Sequence, residues 1–227
     1  MRLSSDVYVE FELESLPRNA PTRRSRGWLA WSWSNGQLMQ RIALLPAQSH
    51  ARDLPMQEWI LHGGSDFNAW SRSNSQSFEP IAGSELLRPL TPHGLFSVFD
   101  FLMPYIHWSN FSYDGAGRLK SREVHYIDLL ASPSNPLNLL VPRVRLALDA
   151  RYAVPLLVRR YDFEGNVQWE QKIESIQKLD GQYVPKQYLM KSISSGDRER
   201  FVMRTVTLQG PLDPQLFDPY LPASMPQ

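Results

Sequence analysis

The 227-residue chain contains no cysteine. Within these residues no disulfide, thiolate zinc site or thiol nucleophile is expected, and no cysteine for lipid attachment is read. Net charge is almost absent too: 24 Lys+Arg face 23 Asp+Glu, a formal balance of +1 that gives no support for a nucleic-acid partner. No long hydrophobic run is present. The longest, Leu95 to Ile106, is broken by Asp100 and Pro104 and falls short of the ~20 residues that span a bilayer. No signal peptide is read before the strand pattern begins at Asp6. Catalytic signatures are missing as well. His50, His62, His93, His107 and His125 are scattered, with no i, i+4 pair of a zinc helix. His62-Gly63-Gly64 resembles a lipase oxyanion loop, but no Gly-x-Ser-x-Gly elbow accompanies it. Gly115-x-Gly117 reads as a hairpin turn rather than a phosphate loop. The expectation is a chain with no catalytic residue, no metal and no cofactor: not an enzyme.

What is present is alternation. Asp6 to Ser15 sets Val7, Val9, Phe11 and Leu13 against Tyr8, Glu10, Glu12 and Glu14, one face buried and the glutamates on a solvated one. Leu16 to Arg26, with two prolines and four arginines, reads as a mobile loop. Trp28 to Trp33 and Leu38 to Leu45 flank Ser34-Asn35-Gly36, a tight hairpin, because Asn-Gly readily takes positive φ. That hairpin places Leu29, Trp31 and Trp33 on one face and Trp28 on the other. Gln57 to His62 is a short strand with Trp59 and Leu61 on one face, and Phe67 to Arg72 reads as an edge strand. Ser73 to Pro92 looks irregular, Tyr113 to Gly117 reads as a turn, and Leu119 to Leu130 reads as a long strand.

One helix is legible. Thr91 suits the N-cap and Pro92 the first turn. Leu95, Val98, Phe99 and Leu102 then fall at the i, i+3, i+4, i+7 spacing of an apolar stripe. Phe96, Phe101 and Met103 lie off that stripe, so the segment Pro92 to Met103 is apolar nearly all round and needs cover on more than one side. From Arg143 to Gln209 alternating segments are separated by Gly165-Asn166, Asp180-Gly181 and Ser195-Gly196-Asp197, an antiparallel meander. Pro211 to Gln227 reads as an extended tail. The count is ten or eleven strands and one helix.

The meander carries a resemblance. A strand ending in Leu148-Asp149 precedes Tyr152, Pro155-Leu156-Leu157-Val158 and Tyr161-Asp162-Phe163-Glu164-Gly165. Leu179-Asp180-Gly181-Gln182-Tyr183-Val184-Pro185-Lys186 follows, and Leu212-Asp213 with Leu216-Phe217 closes the series. This order of turn signatures resembles the outer-membrane lipoprotein-sorting proteins of the LolA/LolB-like superfamily, over roughly the last third of the chain. The resemblance implies a mainly β fold: a strongly curved antiparallel sheet forming an unclosed half-barrel of about 11 strands, with a helix lid, in a single domain. It also implies a hydrophobic cavity able to hold acyl chains and a place in the periplasm or cell envelope. The family's N-terminal signal and helix, and the lipid-anchored members' cysteine, have no match here, and no gate residue is transferred.

The aromatic faces supply the candidate site. Phe11, Leu29, Trp31, Trp33, Trp59, Leu95, Phe99, Leu102 and Trp169 are expected to line a cavity beneath the helix. The function expected is a monomeric carrier of a lipid or an acylated lipoprotein. The alternative is an envelope interaction module with a filled core, using sheet edges or Arg23, Arg24 and Arg26.

Overall fold

The computed structural model describes residues 6–34, 36–46, 54–74, 76–179, 182–209 and 211–221. Its strands are β1 (Asp6–Leu16), β2 (Arg23–Ser34), β3 (Gln37–Leu44), β4 (Gln57–His62), β5 (Asn68–Ser73), β6 (Glu79–Pro80), β7 (Asn110–Leu119), β8 (Arg122–Leu130), β9 (Arg143–Asp149), β10 (Pro155–Tyr161), β11 (Val167–Leu179), β12 (Gln182–Ser192) and β13 (Arg198–Gln209). They form one antiparallel sheet in the order β6-β5-β4-β3-β2-β1-β13-β12-β11-β10-β9-β8-β7, which has two ends and does not close on itself. The mainly β class is as the alternation implies. The count is thirteen rather than about eleven.

Two strands were hidden from the pattern. Asn110–Leu119 is β7 and not a turn. Its glycines sit at a bulge: register shifts between Tyr113 and Ala116, and Gly115 takes φ 89. A bulge needs the same permissive residue as a reversal. The chain reverses instead at Lys120, which takes φ 55, so β8 begins at Arg122. Glu79–Pro80 adds a two-residue strand outside β5, and Gly83–Leu87 forms a 3-10 turn.

The helix is much shorter than its apolar stripe. Only α1 (Val98–Leu102) is helical. Thr91 starts a turn instead, closed by the Gly94 amide donating to the Thr91 carbonyl at 3.0 Å, with Pro92 inside it. Ser97 is the real cap. Asp100 accepts from the Ser97 amide at 2.9 Å and the Ser97 hydroxyl at 2.7 Å in a capping box. A five-residue helix is no full lid.

The termini of the strands also differ from expectation. Arg23 to Arg26 belong to β2, not to a loop. Glu12 and Glu14 are buried rather than solvated, because Arg24 reaches both at 3.5 and 3.4 Å and Arg204 reaches Glu12 at 2.9 Å. The tail is not extended throughout: Pro214–Phe217 is a 3-10 turn with Leu216 and Phe217 buried. Residues Asn35, His50, Asp180 and Gly181 lie outside the described set, so the turns expected there are not described.

Contacts divide the chain into two compact units. Unit I holds Arg2–Glu14, Arg23–Pro104 and Phe201–Gln227; unit II holds Ser15–Thr22 and Tyr105–Arg200.

Candidate functional site

The site is built on one face of unit I. Register across three pairings aligns Leu29 with Ile42 and Trp59, and Trp31 with Gln40, Leu61 and Ala69. Trp33 pairs with Leu38 at the hairpin end. Since side chains two apart share a face, these rows form one apolar surface. The nearer row is sealed: Leu29, Ile42 and Trp59 are all buried. Four phenylalanines help cover them. Phe11 stacks on Phe201 at 4.7 Å, and Phe201 meets Phe101 at 5.6 Å and Phe96 at 5.9 Å. Gly27 makes this approach possible, since a Cβ there would stand 2.6 Å from the Phe11 ring and 2.1 Å from the Ala43 carbonyl oxygen. α1 packs against β4 and buries Val98, Phe99 and Leu102.

The next row is buried at Gln40, Leu61 and Ala69 and opens only at its β2 end. Trp31 is half-buried, and Trp33 is 39% exposed. Between Trp31 and Leu61 stands Gln40, which is only 7% exposed. Its carboxamide Oε1 has no hydrogen-bond partner among the described residues. A buried acceptor left without a donor costs about 1–3 kcal/mol.

The opposite face of unit I is anchored and filled. Tyr8 stacks on Trp28 at 6.1 Å. Trp28, Ala30, Ala43 and Leu45 pack against Leu216 and Phe217 of the C-terminal turn. Buried Glu58 accepts from Arg41 Nε and Nη2 at 3.0 and 2.6 Å and from Arg72 Nε. Arg41 Nη1 donates to the Leu216 carbonyl at 3.1 Å, and His62 Nε2 donates to the Phe217 carbonyl at 2.8 Å. Burial pulls the Arg41 guanidinium below its ordinary pKa, with Glu58 acting against that shift. His62 thus clamps the end of β4 to the C-terminal turn. This clasp was missed in the sequence; its one legible signal was Arg41 and Glu58 inside strands otherwise apolar on that face.

Of the expected site residues, Phe11, Leu29, Trp59, Phe99 and Leu102 are buried, while Leu95 and Trp31 are half-buried. Trp169 belongs to unit II, in the row Leu129–Val144–Arg160–Trp169–Ser192. There the buried Arg160 guanidinium lies 4.6 Å from its ring centroid, a cation–π contact. Among the described residues no group of three or more His, Asp or Glu could hold a metal ion. No helix among them is long and apolar enough to cross a membrane.

No family model matches the chain, and no curated protein matches it. Solved structures do. A DUF1329 family protein from Desulfovibrio piger superposes with TM-score 0.80 at 11% identity, covering 95% of this chain and 90% of that one. A protein described as an outer membrane lipoprotein-sorting domain, from Vibrio parahaemolyticus, gives 0.77 at 15%, covering 94% and 89%. A LolA superfamily protein from Nitrosomonas europaea gives 0.71 at 14%, covering 97% and 94%. The fold is LolA-like, and the resemblance read in the last third of the sequence extends over nearly the whole chain.

Proposed function

We propose that the protein is a non-enzymatic binding protein of the periplasm or cell envelope that carries a hydrophobic ligand, a lipid or the acyl chains of a lipoprotein. The observation that supports this is the apolar face of unit I, sealed at Leu29 and Trp59 and open at Trp31 and Trp33. An acyl chain laid against Trp31 and Trp33 gains about 0.8 kcal/mol per methylene removed from water. Gln40 would meet the polar end of such a ligand, which explains a polar side chain held in an otherwise apolar row. The LolA-like fold supports the same reading.

Fluorescent fatty-acid titration with tryptophan quenching tests it, alongside native mass spectrometry of protein taken from cells. Trp31→Ala should weaken binding at least tenfold, whereas Phe99→Ala, deep in the core, should cost about 3–5 kcal/mol of stability. Gln40→Leu should raise stability by removing the unpaired acceptor, and lower affinity. No bound lipid and no quenching would refute the reading.

A second reading has its own support. Phe11, Phe99, Leu29 and Trp59 are all at most 5% exposed, so that half of the face is solid core. The protein would then be an envelope interaction module. Its contact surface would be the sheet edges or the exposed Arg23, Arg24 and Arg26, the last two of which also reach buried Glu12.

A further inference from the structure

We propose that the end of unit II formed by the β7–β8 hairpin, the β9–β10 turn and the β11–β12 hairpin docks onto an anionic lipid surface. These three connections lie at one end because β7, β9 and β11 run toward it and β8, β10 and β12 run away from it. They are tied to one another. The Ala150 amide donates to the Glu123 carbonyl at 3.0 Å, and Arg122 Nη1 reaches Asp149 at 2.8 Å. The Tyr152 and Tyr183 rings stand 6.3 Å apart.

This end is cationic. Arg118, Lys120, Arg122, Arg151, Lys178 and Lys186 are exposed there. Arg122 is held by Asp149, and the other five have no ion pair among the described residues. Among the described residues the exposed acids are Asp114, Glu123 and Glu174, of which Asp114 is engaged by Arg145 at 2.7 Å and Glu174 by Arg200 at 3.0 Å and Gln187 at 2.8 Å, while Asp180 of the β11–β12 turn lies outside the described residues. The other ends of the same strands differ. They carry exposed Phe111, Leu139 and Phe163 beside the acids Asp162, Glu164 and Asp197, and among the described residues only two exposed cations, Lys191 and Arg198, against five without an ion pair at the first end. The free positive charge of these strand ends is therefore concentrated at one of them.

Aromatic rings are interleaved with the cations. The Arg151 guanidinium lies 5.1 Å from the Tyr152 centroid, and Lys178 Nζ lies 6.0 Å from that of Tyr183. Tyr152 is 45% exposed and Tyr183 55% exposed. The series cation–ring–ring–cation presents apolar bodies with polar tips, which suits the headgroup level of a bilayer. The outer two connections are four strands apart, about 20 Å at the spacing of sheet strands. Charges spread that far cannot converge on one small anion, whereas a lipid surface meets them all at once.

The test is cosedimentation of the full chain with vesicles of phosphatidylcholine alone, or mixed with phosphatidylglycerol, at low and high salt. Binding is expected only to the mixed vesicles, and it should fall steeply with salt. Each cation removed should weaken it about fivefold, the equivalent of about 1 kcal/mol per Lys or Arg near an anionic surface. The triple variant Lys120→Gln/Arg151→Gln/Lys178→Gln should therefore lose about a hundredfold, with its unfolding midpoint unchanged. Tyr152→Ser/Tyr183→Ser should abolish whatever binding survives high salt. Failure of the intact protein to bind mixed vesicles at low salt would overturn the proposal, whatever the variants do. So would triple-variant binding within twofold of the original. Binding of polyglutamate without binding of mixed vesicles would assign the surface to an acidic protein and overturn it equally.

Discussion

Glu58→Gln removes the one negative charge in the clasp beneath the C-terminal turn and leaves its shape nearly intact. Glu58 is 2% exposed and Arg41 is 4% exposed, so neither can recruit water when its partner changes. Glu58 accepts from two Arg41 nitrogens and from Arg72. The variant's new NH2 must face a guanidinium that also offers only donors. Breaking a buried pair from one side costs about 3–5 kcal/mol. At about 2–4 °C per kcal/mol for a chain of this size, the melting temperature should drop by roughly 6–20 °C. Arg41 also donates to the Leu216 carbonyl, so the loss should spread to the turn that buries Leu216 and Phe217. Thermal unfolding gives the first quantity, and hydrogen exchange at the Leu216 and Asp218 amides gives the second. The double replacement Arg41→Leu/Glu58→Leu should be more stable than Glu58→Leu alone, because two apolar side chains often match a buried ion pair. Arg72, 26% exposed, can then turn to solvent. A Glu58→Gln protein within 1 kcal/mol of the original, with unchanged exchange at those amides, would refute the reasoning.

Gly27→Ala places a methyl against the Ala43 carbonyl and the Phe11 ring; overpacking of this kind costs about 1–3 kcal/mol or more, seen as a lowered urea midpoint. Asp149→Ala removes acceptors for the Arg151 amide at 2.9 Å, the Tyr152 amide at 3.0 Å and Arg122 at 2.8 Å. At about 1 kcal/mol for each bond the loss should be about 2–4 kcal/mol, with Asp149→Asn milder because it keeps an acceptor. Acid should unfold the protein through the same carboxylates. Burial pushes Asp149 up, but the hydrogen bonds from Arg122, Tyr152 and Arg151 outweigh it, so its pKa falls below 3.8; the Arg145 hydrogen bond does the same for Asp128. A depressed folded pKa means the unfolded chain takes up protons first. This share of stability is complete above the ordinary carboxylate pKa and drains away as pH falls through the folded values. Equilibrium unfolding between pH 6 and pH 2, ranges set by those directions, should show Asp149→Asn with a flatter acid limb than the original.

How much was legible depended on the range of the interaction. Strands with unlike faces announced themselves, since Val7, Val9, Phe11 and Leu13 all turn inward. The rows Leu29–Ile42–Trp59 and Trp31–Gln40–Leu61 follow from that alternation once hairpin register is known. Long-range charge was illegible. Glu12 and Glu14 look like a wet face until Arg204, 192 residues away from Glu12 in sequence, is brought beside them. The helix misled for a different reason. The stripe Leu95, Val98, Phe99, Leu102 has helical spacing, but the turn at Thr91 to Gly94 and the bridge between Pro89 and Ser97 claim its first residues. Tertiary pairing overrode a local period. Likewise Leu216 and Phe217 sit among prolines that suggest a free tail, and only the pocket beside Trp28 shows why they are apolar.

The signatures that carried the family resemblance have a physical meaning of their own. Asp149 ends β9 and its carboxylate caps the turn to β10, accepting two amides of that turn. Asp162 does the same at the next reversal, accepting the Asn166 amide at 2.8 Å while Gly165 takes φ 83. Asp213 caps the last 3-10 turn through the Gln215 amide at 3.0 Å and so sets Phe217 into the core. An aspartate at a turn satisfies backbone donors that no strand neighbour can reach. These residues stand where the chain must reverse, and the geometry of each turn favours that kind of side chain. Turn signatures of this kind report on the fold, and solved structures at 11–15% identity share it. The same signatures carry no information about a ligand, because their carboxylates are spent on backbone amides of the turns. On the proposed reading, ligand choice would rest with residues that the turns leave unconstrained. Gln40 is the clearest of these, since neither pairing nor capping requires a carboxamide in the row between Trp31 and Leu61.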